Sequence, residues 1–281
     1  MRLSLVVMAY RQEAFIAETV AAALAQDHPD LEIVLSDDAS PDATFRIMSD
    51  MAAAYAGPHR IVLNRNPQNL GLIGHVNRLF DLVTSDWLIY NAGDDISEPH
   101  RARVIAEAIA RDDPRYVYSN VTDLDASGAA LARQRTRTRP AALQQKSLPE
   151  LAKAVSHALG ASSAWHRVLF DRFGPITETE VFEDQVLMFR ARLLGSVTYL
   201  DDRLLRYRRS IGLSFQSKED QVRKLRQDLA IMRQRRADVL RHCPDRRDIL
   251  KAIARKEERR QRALDDVLAG RQIEDPEGED A

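Results

Sequence analysis

The sequence predicts an α/β protein: a largely parallel sheet with helices on both faces, followed by a C-terminal helical extension. Two observations carry that reading. Short β-branched apolar runs alternate with longer alanine-rich amphipathic stretches through about the first 120 residues, the pattern of a βαβ series. After residue 214 the composition turns to arginine, glutamine, leucine and glutamate, with apolar residues recurring at helical spacing, as in amphipathic helices.

Taken in order, residues 3–8 read as the first strand, and 32–35, 60–63, 87–90 and 116–119 as four more. Between them, 15–26, 42–55, 74–83 and 99–111 read as helices, Pro99 suiting a first helical turn. Strands this apolar, each followed by a crossover helix, imply a sheet covered on both faces. Beyond residue 124 the pattern dissolves. Asp125-Ala126-Ser127-Gly128 predicts a turn, and the arginines from Arg133 to Arg139 a basic loop. That loop reads as a solvated charge run or as a clamp for an anionic acceptor. Regularity returns over 148–158 and at the Gly-Ala-Ser-Ser segment 160–163, then in a helix over 184–194 and a strand over 197–200. Val222, Leu225, Leu229, Met232 and Val239 mark a helix, Cys243-Pro244 breaks it, and 248–268 form a second.

The chain has 281 residues, 41 basic and 42 acidic side chains, and 44% hydrophobic residues. This is enough for one sizeable core plus an appendage. Near-zero net charge excludes a protein that holds nucleic acid through a wholly basic surface. By position, residues 218–262 hold 16 basic and 8 acidic side chains, and 263–281 hold one arginine and seven acids. Cys243 is the sole cysteine, so no internal disulfide or cysteine zinc site can form. The opening Met1-Arg2-Leu3-Ser4 is no secretory signal, and no run reaches the roughly 18 apolar residues of a membrane span. These features predict a cytoplasmic protein, soluble or peripheral to the inner face of the membrane.

In open α/β sheets ligands bind outside the carboxyl ends of the strands, and the acidic pairs fall there. Asp37-Asp38 follows the second strand and Asp94-Asp95 the fourth. Neither a dinucleotide glycine fingerprint nor a Walker-type loop occurs. Asp37-Asp38 reads as a turn and helix cap or as an acceptor for the imide N–H of a pyrimidine or the N1–H of guanine. Asp94-Asp95 reads as a turn before Pro99 or as oxygen ligands for a hard divalent cation carrying a diphosphate. Glu183-Asp184 reads as a helix cap with a favourable dipole or as a general base at a helix start.

In order along the chain, Ser4-Leu5-Val6-Val7-Met8-Ala9-Tyr10-Arg11-Gln12-Glu13, Ser36-Asp37-Asp38-Ala39-Ser40-Pro41-Asp42, Asn69-Leu70-Gly71 before Asn77, Ala92-Gly93-Asp94-Asp95 with Pro99, Glu183-Asp184-Gln185 and Tyr207-Arg208-Arg209 resemble family-2 glycosyltransferases of the GT-A fold. The resemblance covers about residues 1–215. It implies a Rossmann-like, mostly parallel sheet, with about 1–120 binding nucleotide and about 121–215 forming the acceptor side. Residues 216–270 would then be the helical extension and 271–281 an acidic disordered tail.

Position by position, the resemblance implies that Ala9, Tyr10 and Glu13 hold the nucleoside, with Tyr10 packing on the base. Asp38 would read the base N–H, Asp94 would sit towards the ribose, Asp95 would hold Mn or Mg, and Asp184 would be the general base. The implied activity is inverting transfer from a nucleotide-diphospho-sugar, UDP-sugars first, to a glycan or lipid-linked acceptor. Two positions depart from the family pattern: Ser210 stands where a histidine is frequent, and Ala92 replaces the first acid of the longer Asp-x-Asp form. They support the alternative of a nucleotide-sugar-binding module with impaired turnover. A receiver domain is discounted, because Tyr10 and Asn64 stand where its acid pair and phosphoacceptor belong. Trp165 and His166 read as packing residues or as shaping an acceptor pocket, and His75 as a helix-surface or packing residue rather than a ligand. For the C-terminal helices the expectations are packing on the catalytic domain, a homodimer contact, or contact with an anionic membrane.

Overall fold

The computed structural model describes residues 1–132, 145–154, 158–209 and 221–271. The predicted basic loop at Arg133 to Arg139, Ser210 and the acidic tail beyond Arg271 lie outside the described residues. The first half runs β1 (Leu3–Ala9), α1 (Ile16–Leu24), β2 (Leu31–Asp37), α2 (Thr44–Ala54), β3 (Arg60–Arg65), α3 (Gly71–Leu82) and β4 (Trp87–Ala92). Then come β5 (Ile96–Ser97), α4 (Arg101–Asp112), β6 (Tyr116–Leu124), α5 (Leu148–Lys153), β7 (Ser163–His166) and α6 (Val168–Asp171). The chain continues with α7 (Glu183–Leu194), β8 (Val197–Arg208), α8 (Gln221–His242) and α9 (Arg247–Leu268).

The eight strands order β3-β2-β1-β4-β7-β6-β8-β5. The pairs β1–β2, β1–β4, β2–β3 and β6–β8 are parallel, as expected. Three pairs are antiparallel, because β7 inserts between β4 and β6 and the two-residue β5 lies against β8. The sheet is therefore mixed in its second half. Four residues at β7 and two at β5 are too few to show a period of two, so no sequence pattern announced them.

Side-chain alternation along the buried strands divides the core. Leu5, Val7, Ile33 and Leu35 join α1, α2 and α4 on one face. Val6 and Val34 join α3 and α7 on the other, and there the C-terminal hairpin enters the core. Ala230, Ile231, Met232 and Val239 of α8 and Ile249 and Ile253 of α9 belong to the same cluster as Trp165. Leu225 and Leu229 pack instead on Ala263 and Leu264 within the hairpin. The predicted apolar stripe thus has two partners, and the hairpin shares the core of the sheet rather than standing outside it. Among the described residues no helix is long and apolar enough to cross a membrane.

Candidate active site

The register puts three strand ends side by side. Met8 lies opposite both Ser36 and Ala92, and Ala9 opposite Asp37, so the loops after β1, β2 and β4 share one rim. Two non-glycine residues there have left-handed backbone, Arg11 at φ 55 and Ala39 at φ 58. Such residues cost about 1–3 kcal/mol each and persist only where neighbours fix them. The fixing bonds stitch the first two loops together: Arg11 N donates to Ser40 Oγ at 2.9 Å, Gln12 N to Thr44 Oγ1 at 2.8 Å, and Asp38 N to the Ala9 carbonyl at 2.9 Å. Ala9 is buried, while Tyr10 stays 38% exposed at the rim, its ring 5.3 Å from the Arg11 guanidinium. Glu13 Oε2 accepts the Ala43 amide at 2.9 Å.

Asp38 is buried and takes three donors: Asn66 Nδ2 at 2.7 Å, Leu70 N at 3.0 and 3.1 Å, and Gly71 N at 3.0 Å. It therefore fixes the start of α3 and the loop before it. Each oxygen takes two contacts, so the roughly four acceptor sites of the carboxylate are filled, with Leu70 N shared between the two oxygens. Its neighbour Asp37 is fully buried, with Oδ2 on Ser40 N at 2.9 Å and near Arg65 Nε at 3.5 Å. Asp37 Oδ1 has no hydrogen-bond partner among the described residues.

The turn after β4 fits closely under the first loop. A Cβ on Gly93 would lie 3.0 Å from Ala9 Cβ and 3.1 Å from Gln12 Cγ, so only glycine lets the acidic turn approach β1 this way. Asp94 and Asp95 are both buried. Arg208, at the end of β8, clamps them: its backbone N donates to Asp95 Oδ1 at 2.8 Å and its Nε to the Asp94 carbonyl at 3.1 Å. The guanidinium also reaches Glu18 Oε2 at 2.8 Å and lies 4.7 Å from the centre of the Phe15 ring. Burial raises the Asp94 carboxyl above its usual range, and Arg208 pulls the other way. Beneath the turn, fully buried Arg101 donates to Asn91 Oδ1, Ser97 Oγ and the carbonyls of Tyr90 and Ala161. Burial brings its pKa down to about 9, against the opposing pull of Asp95.

The second acidic pair arrives from α7. Glu183 and Asp184 are both buried, and Asp184 Oδ2 accepts the Gly160 amide at 3.0 Å. A Cβ on Gly160 would collide with the Glu183 carboxylate, which explains a glycine just before β7. Burial, with Asp184 beside it, pushes the Glu183 carboxyl up to about 8, so it is protonated at neutral pH. The two pairs share one space. Burial raises the Tyr90 phenol well above its ordinary value, and Glu183, Asp94, Asp95 and Asp184 all push it the same way.

The structure therefore brings together Ala9, Tyr10, Glu13 and Asp38 on the adjoining loops, and Asp94, Asp95 and Asp184 around Tyr90. Gly160 and Arg101 were not singled out for the site, Asp37 entered only as a member of the Asp37-Asp38 pair, and the Tyr207-Arg208-Arg209 motif carried no assigned role. Trp165 is fully buried and stacks on Tyr90 with centroids 5.0 Å apart, as a packing residue should. His75 is buried beneath the Asp37-Asp38 turn, 2.7 Å from Ser36 Oγ, and burial lowers its pKa to about 4.

No group of three or more His, Cys, Asp or Glu side chains able to hold a metal occurs among the described residues. That excludes an all-protein cage among them, but not a hard cation shared with a ligand. Mg-type ions are held by one or two carboxylates plus substrate phosphates. The oxygen-only pair Asp94 and Asp95 fits such a cation.

The family model "Glycosyl transferase family 2" matches residues 4–174, more than half of the chain. Among curated relatives, the putative glycosyltransferase EpsE of Bacillus subtilis is 35% identical over 100 residues, 36% of this chain and 35% of that protein. An uncharacterized glycosyltransferase of Nostoc is 23% identical over 137 residues, 49% of this chain and 42% of its own length. The matches thus span well under half of these relatives. Among solved structures, S. aureus TarS 1-349 in complex with UDP-GlcNAc superposes with a TM-score of 0.68 at 17% identity, over 95% of this chain and 74% of that one. The mannosyltransferase PcManGT of Pyrobaculum calidifontis, in complex with GDP-Man and Mn2+, gives 0.61 at 18% identity, over 97% and 76%. At these identities the structural likeness establishes the GT-A fold.

Proposed function

Since the chain belongs to glycosyl transferase family 2, we propose that it transfers a sugar from a nucleotide-diphospho-sugar, a UDP-sugar first, to a glycan or lipid-linked acceptor with inversion at the anomeric carbon. The observation that carries this reading is the seating of buried Asp94 and Asp95 just after β4, next to the segment whose Gly160 amide holds Asp184, the two being joined by Arg101 through the carbonyls of Tyr90 and Ala161. Two structural neighbours are complexes with a nucleotide sugar, UDP-GlcNAc or GDP-Man, which supports the donor class.

In this reading Ala9, Tyr10, Glu13 and Asp38 hold the nucleoside, with Tyr10 against the base and Asp38 accepting a base N–H in place of one arm of the bond it shares with Leu70 N. That contact positions the donor rather than reacting with it. Asp94 faces the ribose. Asp95, with Asp94 beside it, would hold Mn or Mg, which when bound neutralises charge on the departing diphosphate. Asp184, oriented by the Gly160 amide, takes the proton of the acceptor hydroxyl as that oxygen attacks the anomeric carbon and the nucleoside diphosphate leaves. Protonated Glu183 reduces the negative charge beside the base.

A panel of UDP-, dTDP- and GDP-sugars with Mn tests this, reading hydrolysis, transfer and nucleotide-induced thermal shift. Asp95→Ala should lose the metal-dependent shift, whereas Asp184→Asn should keep the shift and lose transfer. If no nucleoside diphosphate shifts the wild-type melt, with or without metal, the site assignment is wrong.

A further inference from the structure

We propose that Arg235, on the C-terminal hairpin, is a positioning residue that fixes the backbone of the Asp184 segment; the inference rests on the reading of Asp184 as general base. Arg235 lies on α8 and is only 2% exposed. Its Nη1 donates to the carbonyls of Leu151 at 3.2 Å, Ala152 at 2.9 Å and Ala154 at 2.7 Å, and its Nη2 to the carbonyl of Gln185 at 3.0 Å. The guanidinium carbon lies 5.2 Å from the centre of the Phe189 ring.

These acceptors belong to two different segments. Leu151, Ala152 and Ala154 end α5, where the last turn of a helix leaves carbonyls without partners and a cation is favoured. Gln185 directly follows Asp184 in the first turn of α7. One guanidinium therefore ties the α5 end to the start of the helix that carries the base. Asp184 is held twice: its carboxylate by the Gly160 amide at 3.0 Å, and the peptide after it by Arg235. The preceding residue on α8 anchors the approach to α7, since Gln234 Oε1 accepts Thr177 N at 2.9 Å and Glu178 N at 3.1 Å.

The arrangement calls for arginine in particular. A planar fork with five donors can serve two segments at once, whereas an ammonium with three donors on a flexible stem cannot hold the same geometry. Burial lowers the pKa of Arg235 to about 10, with Asp228, Asp184 and Asp238 opposing, so it stays charged at neutral pH. It touches no reacting atom, and its effect on turnover passes through the placement of Asp184.

The test uses the full chain with a UDP-sugar and Mn, comparing wild type, Arg235→Met, Arg235→Lys and a control, Glu32→Gln. Buried Glu32 of β2 pairs with Arg60 of β3 at 2.7 Å, so the control disturbs an equally buried charge away from α7 and from Arg235. A misplacement of about 1 Å can cost on the order of a hundredfold in rate. Arg235→Met should accordingly lower kcat by roughly ten- to a hundredfold with the donor KM within about twofold. Arg235→Lys should recover part of the loss, and it serves as the readout if the methionine variant does not fold. Hydrogen exchange of the Gly160 amide should accelerate in both variants and stay unchanged in Glu32→Gln. Unchanged Gly160 exchange in a folded Arg235 variant, or an equal loss of kcat in the control, overturns the proposal. If Gly160 exchange accelerates while Asp184→Asn retains wild-type transfer, the base assignment of Asp184 falls and the clamp on its segment stands.

Discussion

Replacing Glu183 by glutamine should flatten the fall in stability of this protein above neutral pH. Burial next to Asp184 holds the Glu183 carboxyl at about 8, against 4.5 for an ordinary glutamate. Between those values the folded protein keeps a proton that the unfolded chain has released, so stability decreases as pH rises. Each unit corresponds to about 1.4 kcal/mol, so the whole window is worth about 4 kcal/mol after the curvature at its two ends. His75 acts oppositely. Its pKa is lowered from 6.5 to about 4, so in that interval the unfolded chain binds the extra proton and stability increases with pH. The two slopes partly cancel below 6.5 and only that of Glu183 persists above it. Comparing wild type with Glu183→Gln removes the contributions of His75 and of Asp94, whose carboxyl is also raised. Urea unfolding at pH 6.5 and 8 should show the variant gaining about 1–2 kcal/mol relative to wild type between the two. Parallel stability profiles for the two proteins would refute the assignment of a protonated Glu183.

Three further substitutions probe the same architecture. Gly160→Ala forces a methyl group into the Glu183 carboxylate; it should cost about 1–3 kcal/mol in denaturant unfolding and reduce transfer more than nucleotide binding. Asp238→Ala strips fully buried Arg190 of a two-pronged partner at 2.8 and 3.0 Å. The uncompensated charge should cost about 3–5 kcal/mol, visible as an earlier urea midpoint. Asp38→Asn exchanges a carboxylate oxygen for an NH2 among three converging donors; the clash of donors should cost about 1–3 kcal/mol and weaken nucleotide-induced thermal shifts, a change absent if Asp38 has no part in the pocket.

The first half of the fold was legible because its central strands are almost wholly buried, mainly apolar runs, as in Leu3–Ala9 and Leu31–Asp37, and amphipathic helices follow them, although the edge strand Arg60–Arg65 is half-buried to exposed. The strand ends then located the acids without further information. What escaped was short or dictated by the neighbourhood. Ser163–His166 forms an antiparallel strand because β4 and β6 offer it edges, and nothing in four residues of mixed polarity announces that. Gly160 reads as a loop residue, and its function depends on a Glu183 carboxylate 23 positions away in sequence. Arg208 stood in a motif, yet its clamp on the Asp94-Asp95 turn needs β8 to run on to Arg208 itself, well beyond the apolar residues that marked its start.

The basic hairpin divides its positive charge between the surface and the core. The surplus of positive charge over residues 218–262 suggested an exposed docking face. Yet Arg235, Lys256 and Arg260 are each at most 3% exposed, and Arg190 on the catalytic side is fully buried against Asp238. Buried charge is costly unless paired, so these residues fix the geometry of their partners rather than merely coat a surface. Arg235, the buried arginine of α8, reaches the end of α5 and the start of α7, while Arg260 of α9 turns back onto Asp228 of α8, so the hairpin is part of the frame around the acids. Removal of residues 221–271 should therefore expose Ala230 to Met232's side of the core and leave the Gln185 carbonyl without its donor. The truncated chain should lose nucleotide-induced stabilisation together with its cooperative melt; a truncated protein that still melts cooperatively and binds nucleotide with wild-type affinity would show the hairpin to be a detachable appendage.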